Sequence, residues 1–195
     1  MKHLKSCFGK IIVILFLFVT GRSCAESPHF PDLDRMEIPR LELDIVVKKI
    51  PFSREQKTWD ITEETGAVYW LEGTSHPEYG GNTVIAAHYM EYGKPGPLFR
   101  VRDLTEGDEI YLYSGFFKYT YKVARYQYIP DTYMEYMKKR PYALTLFTCS
   151  GFNWDTGVWE QRVVVLADLV QIDIGYNQPE ITVPVSKWTP YFIFF

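Results

Sequence analysis

Three side chains in this sequence are of types that together can open an amide bond: the thiol of Cys149, the imidazole of His88 and the guanidinium of Arg162. A thiolate attacks a carbonyl carbon, an imidazole protonates the departing amine, and a guanidinium holds the carbonyl oxygen as it becomes an oxyanion. Each also has a plainer explanation. A lone cysteine is often buried and inert, and an arginine at a strand end is often a solvated or salt-bridged edge residue. The other histidines carry less: His3 lies in the leader, while His29 and His76 sit in proline-containing loops and read as solvated.

All three candidates are placed by apolar runs. Leu144, Leu146 and Phe147 form a short run rich in β-formers, and Ser150 to Asn153 read as turn punctuation, so a buried strand is expected to end on Cys149. Thr83 to Ala87 is a second such run and ends on His88. A third, Val163 to Ala167, begins on Arg162. If the strand after Cys149 runs antiparallel to it, the start of one lies beside the end of the other, which brings Arg162 next to Cys149. His88 then needs only a neighbouring strand pointing the same way.

The remaining elements follow the same signals. Leu41, Leu43, Ile45 and Val47 alternate with mostly polar residues as a half-buried strand, and Ala67 to Leu71 is a further apolar run. Leu98, Val101 and Leu104 have helical spacing ahead of Gly107, and Tyr128 to Arg140 has room for a short helix that Pro141 would stop. Ser114-Gly115 between two alternating runs is the strongest hairpin signal.

At 195 residues, 47% hydrophobic and 17% aromatic, the chain suits one well-packed, mainly β domain. Lys2, Lys5 and Lys10 precede the unbroken apolar run Ile11 to Val19, the pattern of a secretory start. That run is short for a membrane span, which needs about 20 apolar residues. Residues 1–25 therefore read as a signal peptide cleaved before Glu26, with an uncleaved anchor or lipidation at Cys24 as alternatives. Residues 26–35 read as a linker, 36–174 as the folded domain and 175–195 as a C-terminal extension. Losing the leader takes the net charge from −3 to −7, which argues against a nucleic-acid partner. It also removes Cys7 and Cys24, leaving Cys149 without a disulfide partner in the exported body. The extension ends in the aromatic run Tyr191 to Phe195, too short to span a bilayer; packing against the domain is the favoured reading, with the membrane surface or a partner as alternatives.

Thr145-Leu146-Phe147-Thr148-Cys149 matches the Thr-Leu-x-Thr-Cys signature of sortases, exported cysteine transpeptidases of mainly Gram-positive bacteria. Gly81 to His88 resembles the Gly-Asn-x-Val-Ile-Ala-Gly-His segment of that family, with Ala87 replacing the usual glycine. Ile38-Pro39-x-Leu41 is similar to the start of the family's barrel, and Arg162 to Val165 to the strand carrying its arginine.

The resemblance implies a closed eight-stranded sortase-type β-barrel with short helices. It implies Cys149 as nucleophile, His88 as general acid and then base, Arg162 as oxyanion and substrate anchor, and Thr148 and Ala87 as substrate contacts. The substrate would be a surface or pilin protein bearing a sorting motif of the Leu-Pro-x-Thr-Gly type. The acceptor would be an amine of a peptidoglycan precursor or a pilin lysine, with the enzyme exported and either anchored at the extracellular face of the cell membrane through its N-terminal segment or secreted. Pilin-polymerising members carry an Asp-Pro-aromatic lid upstream of the barrel. The segment Phe30 to Asp34 departs from that pattern, and no C-terminal membrane helix follows, so the resemblance points to housekeeping anchoring. No cofactor or metal is expected. Some members bind calcium through loop carboxylates, and Glu63, Glu64, Glu72 and Glu78 are the acids available, although loop acids are usually only solvated. A secreted thiol peptidase acting mainly as a hydrolase, and a non-catalytic barrel that binds surface proteins, are the alternatives.

Overall fold

The computed structural model describes residues 31–61, 65–132, 135–138 and 140–175, and the backbone of 181–184. Among these described residues eleven strands are formed. They are β1 (Arg35–Ile38), β2 (Leu43–Ile50), β3 (Val68–Leu71), β4 (Asn82–Ala86), β5 (Met90–Glu91), β6 (Lys94–Pro95), β7 (Glu109–Ser114), β8 (Phe117–Pro130), β9 (Ala143–Asn153), β10 (Val158–Ile174) and β11 (Ile181–Pro184). Eight of them close into a ring in the order β10-β8-β7-β1-β2-β3-β4-β9, with β9 pairing back onto β10. Closure leaves the barrel wall no free edge. Two contacts in the ring are parallel, β2 with β3 and β4 with β9, and the rest are antiparallel. Among the described residues the helices are single 3-10 turns.

Side chains alternate between the two faces of a strand. Ile85 and Ala87, Leu144 and Leu146, and Val163, Val165 and Ala167 belong to the core cluster that fills the barrel. Their neighbours Val84 and Ala86, Phe147, and Val164 and Leu166 point outward and are covered by apolar residues of the connections, among them Trp59, Ile61 and Met137. A wall covered on both faces explains why these segments read as unbroken apolar runs rather than alternating ones.

Several expectations shift in detail. The first strand is β1, in which Met36 and Ile38 are buried and alternate with Arg35 and Glu37; Leu41 lies instead in a 3-10 turn that Glu42 closes at φ 53, and β2 begins at Leu43. Leu98, Val101 and Leu104 are all buried, as helical spacing requires, yet only Val101–Asp103 coil, as one 3-10 turn. Between Tyr128 and Arg140 the strand β8 runs on to Pro130, and among the described residues only Glu135–Met137 coil. His76 is buried rather than solvated: Trp70, Tyr79 and Tyr119 surround its ring. His3, His29, Glu63, Glu64, the leader and the aromatic run Tyr191 to Phe195 lie outside the described residues.

The two strand ends at the site also move. β9 continues four residues past Cys149, and β10 starts four residues before Arg162. The reversal falls at Asn153 to Gly157, where the Asn153 side chain accepts from the backbone N–H groups of Asp155 (2.9 Å) and Thr156 (3.2 Å). An asparagine that satisfies backbone donors two and three residues on holds a turn, whereas Ser150 and Gly151 stay within β9. Cys149 and Arg162 thus stand inside a long hairpin, not at its mouth.

Candidate active site

β9 carries Cys149 on the outer side of the wall, because it shares parity with outward-facing Phe147. Arg162 shares parity with outward-facing Val164 and lies directly opposite Cys149 in the antiparallel register. β4 runs parallel to β9 with Ala86 opposite Phe147, so the chain leaving β4 delivers His88 level with Cys149. All three residues line one cleft of about 340 Å3. Its walls come from Trp59, Ile61, Leu71, Met137 and Phe147, and Asp131 also lines it.

His88 is held by two contacts. Its Nε2 lies 2.7 Å from the Ile61 carbonyl oxygen. A carbonyl only accepts, so Nε2 carries the proton and Nδ1 is the ring's basic nitrogen. Behind it, the loop through β5 and β6 folds back until Gly96 sits against the His88 backbone. A Cβ at Gly96 would lie 2.4 Å from the His88 carbonyl oxygen, so this close approach requires glycine. An aromatic ladder joins the loop to the hairpin: Tyr89 packs on Phe99 and Trp159, and Trp159 on Phe152.

The resemblance makes Thr148 a substrate contact, and the structure gives its hydroxyl another partner. Thr148 is buried on the interior side of β9 and donates to the Ala87 carbonyl at 2.8 Å. Both residues border the cleft, yet this bond ties the strand bearing Cys149 to the segment bearing His88.

Burial pushes the Cys149 thiol above its usual pKa; Arg162 opposes that shift and Asp131 adds to it. The resting sulfur is therefore a protonated thiol at neutral pH, beside a base and a cation. Trp59, Ile61, Met137 and Asp131 are the site residues the sequence reading missed. The signal is faint: Trp59, Ile61 and Met137 are apolar residues stranded in otherwise polar connections with no periodicity to give them a partner, and Asp131 is one acid among the loops.

The Sortase domain family model matches residues 36–170. The chain belongs to the sortase family. Sortases are cysteine transpeptidases, and the closed barrel is their fold. Among solved structures, sortase A of Listeria monocytogenes is similar over 76% of this chain and 90% of its own, at 18% identity and a TM-score of 0.58. Sortase C-3 of Streptococcus pneumoniae is similar over 78% of this chain and 69% of its own, at 21% identity and a TM-score of 0.61. A sortase D5 transpeptidase of Clostridium perfringens is similar over 71% of this chain and 78% of its own, at 20% identity and a TM-score of 0.54. No curated protein sequence matches the chain. Among the described residues of this sortase no helix is long and apolar enough to cross a membrane, and no cluster of three or more His, Cys, Asp or Glu side chains forms a metal site. Of the acids considered for calcium, Glu72 accepts from the Phe52 backbone N–H at 3.1 Å and Glu78 from the Tyr119 hydroxyl.

Proposed function

We propose that this sortase cleaves a C-terminal sorting motif of the Leu-Pro-x-Thr-Gly type and transfers the protein to an amine. The observation that carries this is the meeting of Cys149, His88 and Arg162 on one cleft from three different strand segments. Nδ1 of His88 takes the thiol proton, and the Cys149 sulfur attacks the carbonyl carbon of the motif's threonine. Arg162 faces the oxygen that becomes negative. Collapse of the tetrahedral adduct breaks the C–N bond, and the imidazolium returns its proton to the departing amine, leaving a thioester on Cys149. An incoming amine then attacks the thioester carbon, His88 takes the amine's proton, and that proton ends on the released Cys149 sulfur.

The acceptor in this proposal is a peptidoglycan-precursor amine, with a pilin lysine as the other source, and the enzyme works outside the cell membrane, anchored through its N-terminal segment or released once that segment is cleaved. Housekeeping anchoring is favoured over pilin polymerisation by the upstream segment. Among the described residues nothing before Thr58 lines the cleft; Leu33 is buried in the barrel core and Ser114 donates to the Pro31 carbonyl instead. No calcium site enters the mechanism.

The test is product analysis on residues 26–195 with a sorting-motif peptide and graded amounts of a glycine-based amine. Ligated peptide that rises with amine at the expense of acid product supports transfer. Hydrolysis unaffected by amine would favour the thiol-peptidase reading.

A further inference from the structure

The hollow over the outer wall does not stop at the catalytic cleft. A second hollow of about 580 Å3 opens beside it, lined by Gly73, Thr74, Asn82, Met137 and Arg140 among others. Met137 lines both. Their floors are successive stretches of one parallel pair: Ala86 and Phe147, mutual partners, lie under the first, and Asn82, the partner of Ala143, under the second. Together they form a groove along β4 and β9 that leads from Cys149 toward the start of both strands.

Most polar groups in the second hollow are used internally. Thr74 donates to the Leu71 carbonyl at 2.7 Å, Ser75 to the His76 carbonyl at 3.0 Å, and the Asn82 side-chain oxygen accepts from Thr145 at 2.9 Å. Arg140 differs. Its Nη2 donates to Asp168 at 2.7 Å, Nη1 has no hydrogen-bond partner among the described residues, and the side chain, 31% exposed, lines the hollow. A guanidinium can serve two carboxylates at once, so the edge of Arg140 that lines the hollow suits an incoming carboxylate beside Asp168.

We infer that the second hollow is a substrate subsite in which Arg140 binds an acidic residue of the donor polypeptide, upstream of the bond that Cys149 attacks. This rests on the proposed function. The acyl part of the donor stays on the enzyme as the thioester, so the long arm of the groove is the place where its binding energy is useful. Position follows from the register. Asp168, the partner of Arg140, pairs with Ala143, six residues before Cys149 on β9. An extended chain rising about 3.3 Å per residue covers that span of about 20 Å in about six residues.

The test is a charge scan of the donor with the wild-type enzyme. Peptides carry one Glu or one Lys at each of ten positions before the scissile bond and five after it, and acylation kcat/KM is read at low and high salt. The expected result is a preference for Glu over Lys of about three- to ten-fold, confined to the fifth to seventh residues upstream, carried by KM and reduced at high salt. In Arg140→Gln the preference disappears, and in Arg140→Lys part of it returns. Acylation that ignores charge upstream, or that responds only downstream of the bond, would overturn the inference and leave the proposed function standing. No acylation with any peptide would overturn both.

Discussion

Arg162 stands directly across the β9–β10 ladder from Cys149, on the same outer face of the barrel wall. The pairing makes the cation part of the nucleophile's surroundings before any substrate arrives. It opposes the burial that raises the thiol, and it is already in place for the oxyanion that follows attack. Replacing Arg162 with Gln is therefore expected to slow acylation by about 10²- to 10³-fold. Rapid-quench acylation rates check this; a variant within a few-fold of wild type would remove Arg162 from the chemistry.

The thiol itself gives a second expectation. Because its pKa is raised, alkylation of Cys149 by iodoacetamide should reach half its maximal rate at a pH above that of a free cysteine thiol. Removing the acid that adds to the shift, Asp131→Asn, should move the midpoint down, and removing the opposing cation, Arg162→Gln, should move it up. Alkylation rates across pH 6 to 11 on the three proteins read both signs directly.

The Thr148 to Ala87 hydrogen bond predicts a stability effect rather than a substrate effect. Thr148→Val keeps the shape but leaves the buried Ala87 carbonyl without its donor, at a cost of about 1–3 kcal/mol. Denaturant unfolding should show that loss, and Thr148→Ser should recover most of it. An unchanged midpoint with a raised KM would instead make the hydroxyl a substrate contact.

Gly96→Ala tests how His88 is seated. The added methyl would meet backbone rather than a flexible side chain, so the His88 segment must shift. Overpacking of this kind costs about 1–3 kcal/mol, and a displaced acid–base group loses about ten-fold or more in kcat. Melting curves and kcat measured together separate the two effects.

His76 predicts acid lability. Burial holds its pKa down at about 4, against pulls upward from its backbone hydrogen bond to Pro31 and from Asp32. A depressed folded-state pKa gives stability that is present above about pH 6.5 and is lost as the pH falls toward 4, because the unfolded chain takes up the proton first. Protonation would also cost the acceptor Nδ1, which receives the Glu78 backbone N–H at 3.3 Å. His76→Gln should flatten the fall in Tm between pH 6.5 and 4, measured by scanning calorimetry.

The sequence disclosed the site through residues that obey short-range rules. Thr83 to Ala87 and Leu144 to Thr148 are apolar runs bounded by turn residues, so the segments that aim His88 and Cys149 were legible as strands. Even the neighbourhood of Arg162 and Cys149 followed from one assumption, an antiparallel return. What escaped depended on tertiary cover. Cys149 was read as a strand end because Ser150 and Gly151 look like a turn, whereas Asn153 makes the reversal farther on. His76 was read as solvated because its flanking prolines say nothing of the three aromatic rings that enclose it. Trp59, Ile61 and Met137 reach the cleft from connections whose course only the folded barrel defines.

The most direct test of the central claim is intact-mass spectrometry of residues 26–195 mixed with a pool of sorting-motif peptides, with Cys149→Ala as control. The mechanism predicts a mass increase equal to the acyl portion of one peptide, located on Cys149, absent from the control, and discharged into ligated product when a glycine amine is added. A folded protein that acquires no adduct from any peptide, or an adduct that the control acquires equally, would contradict it.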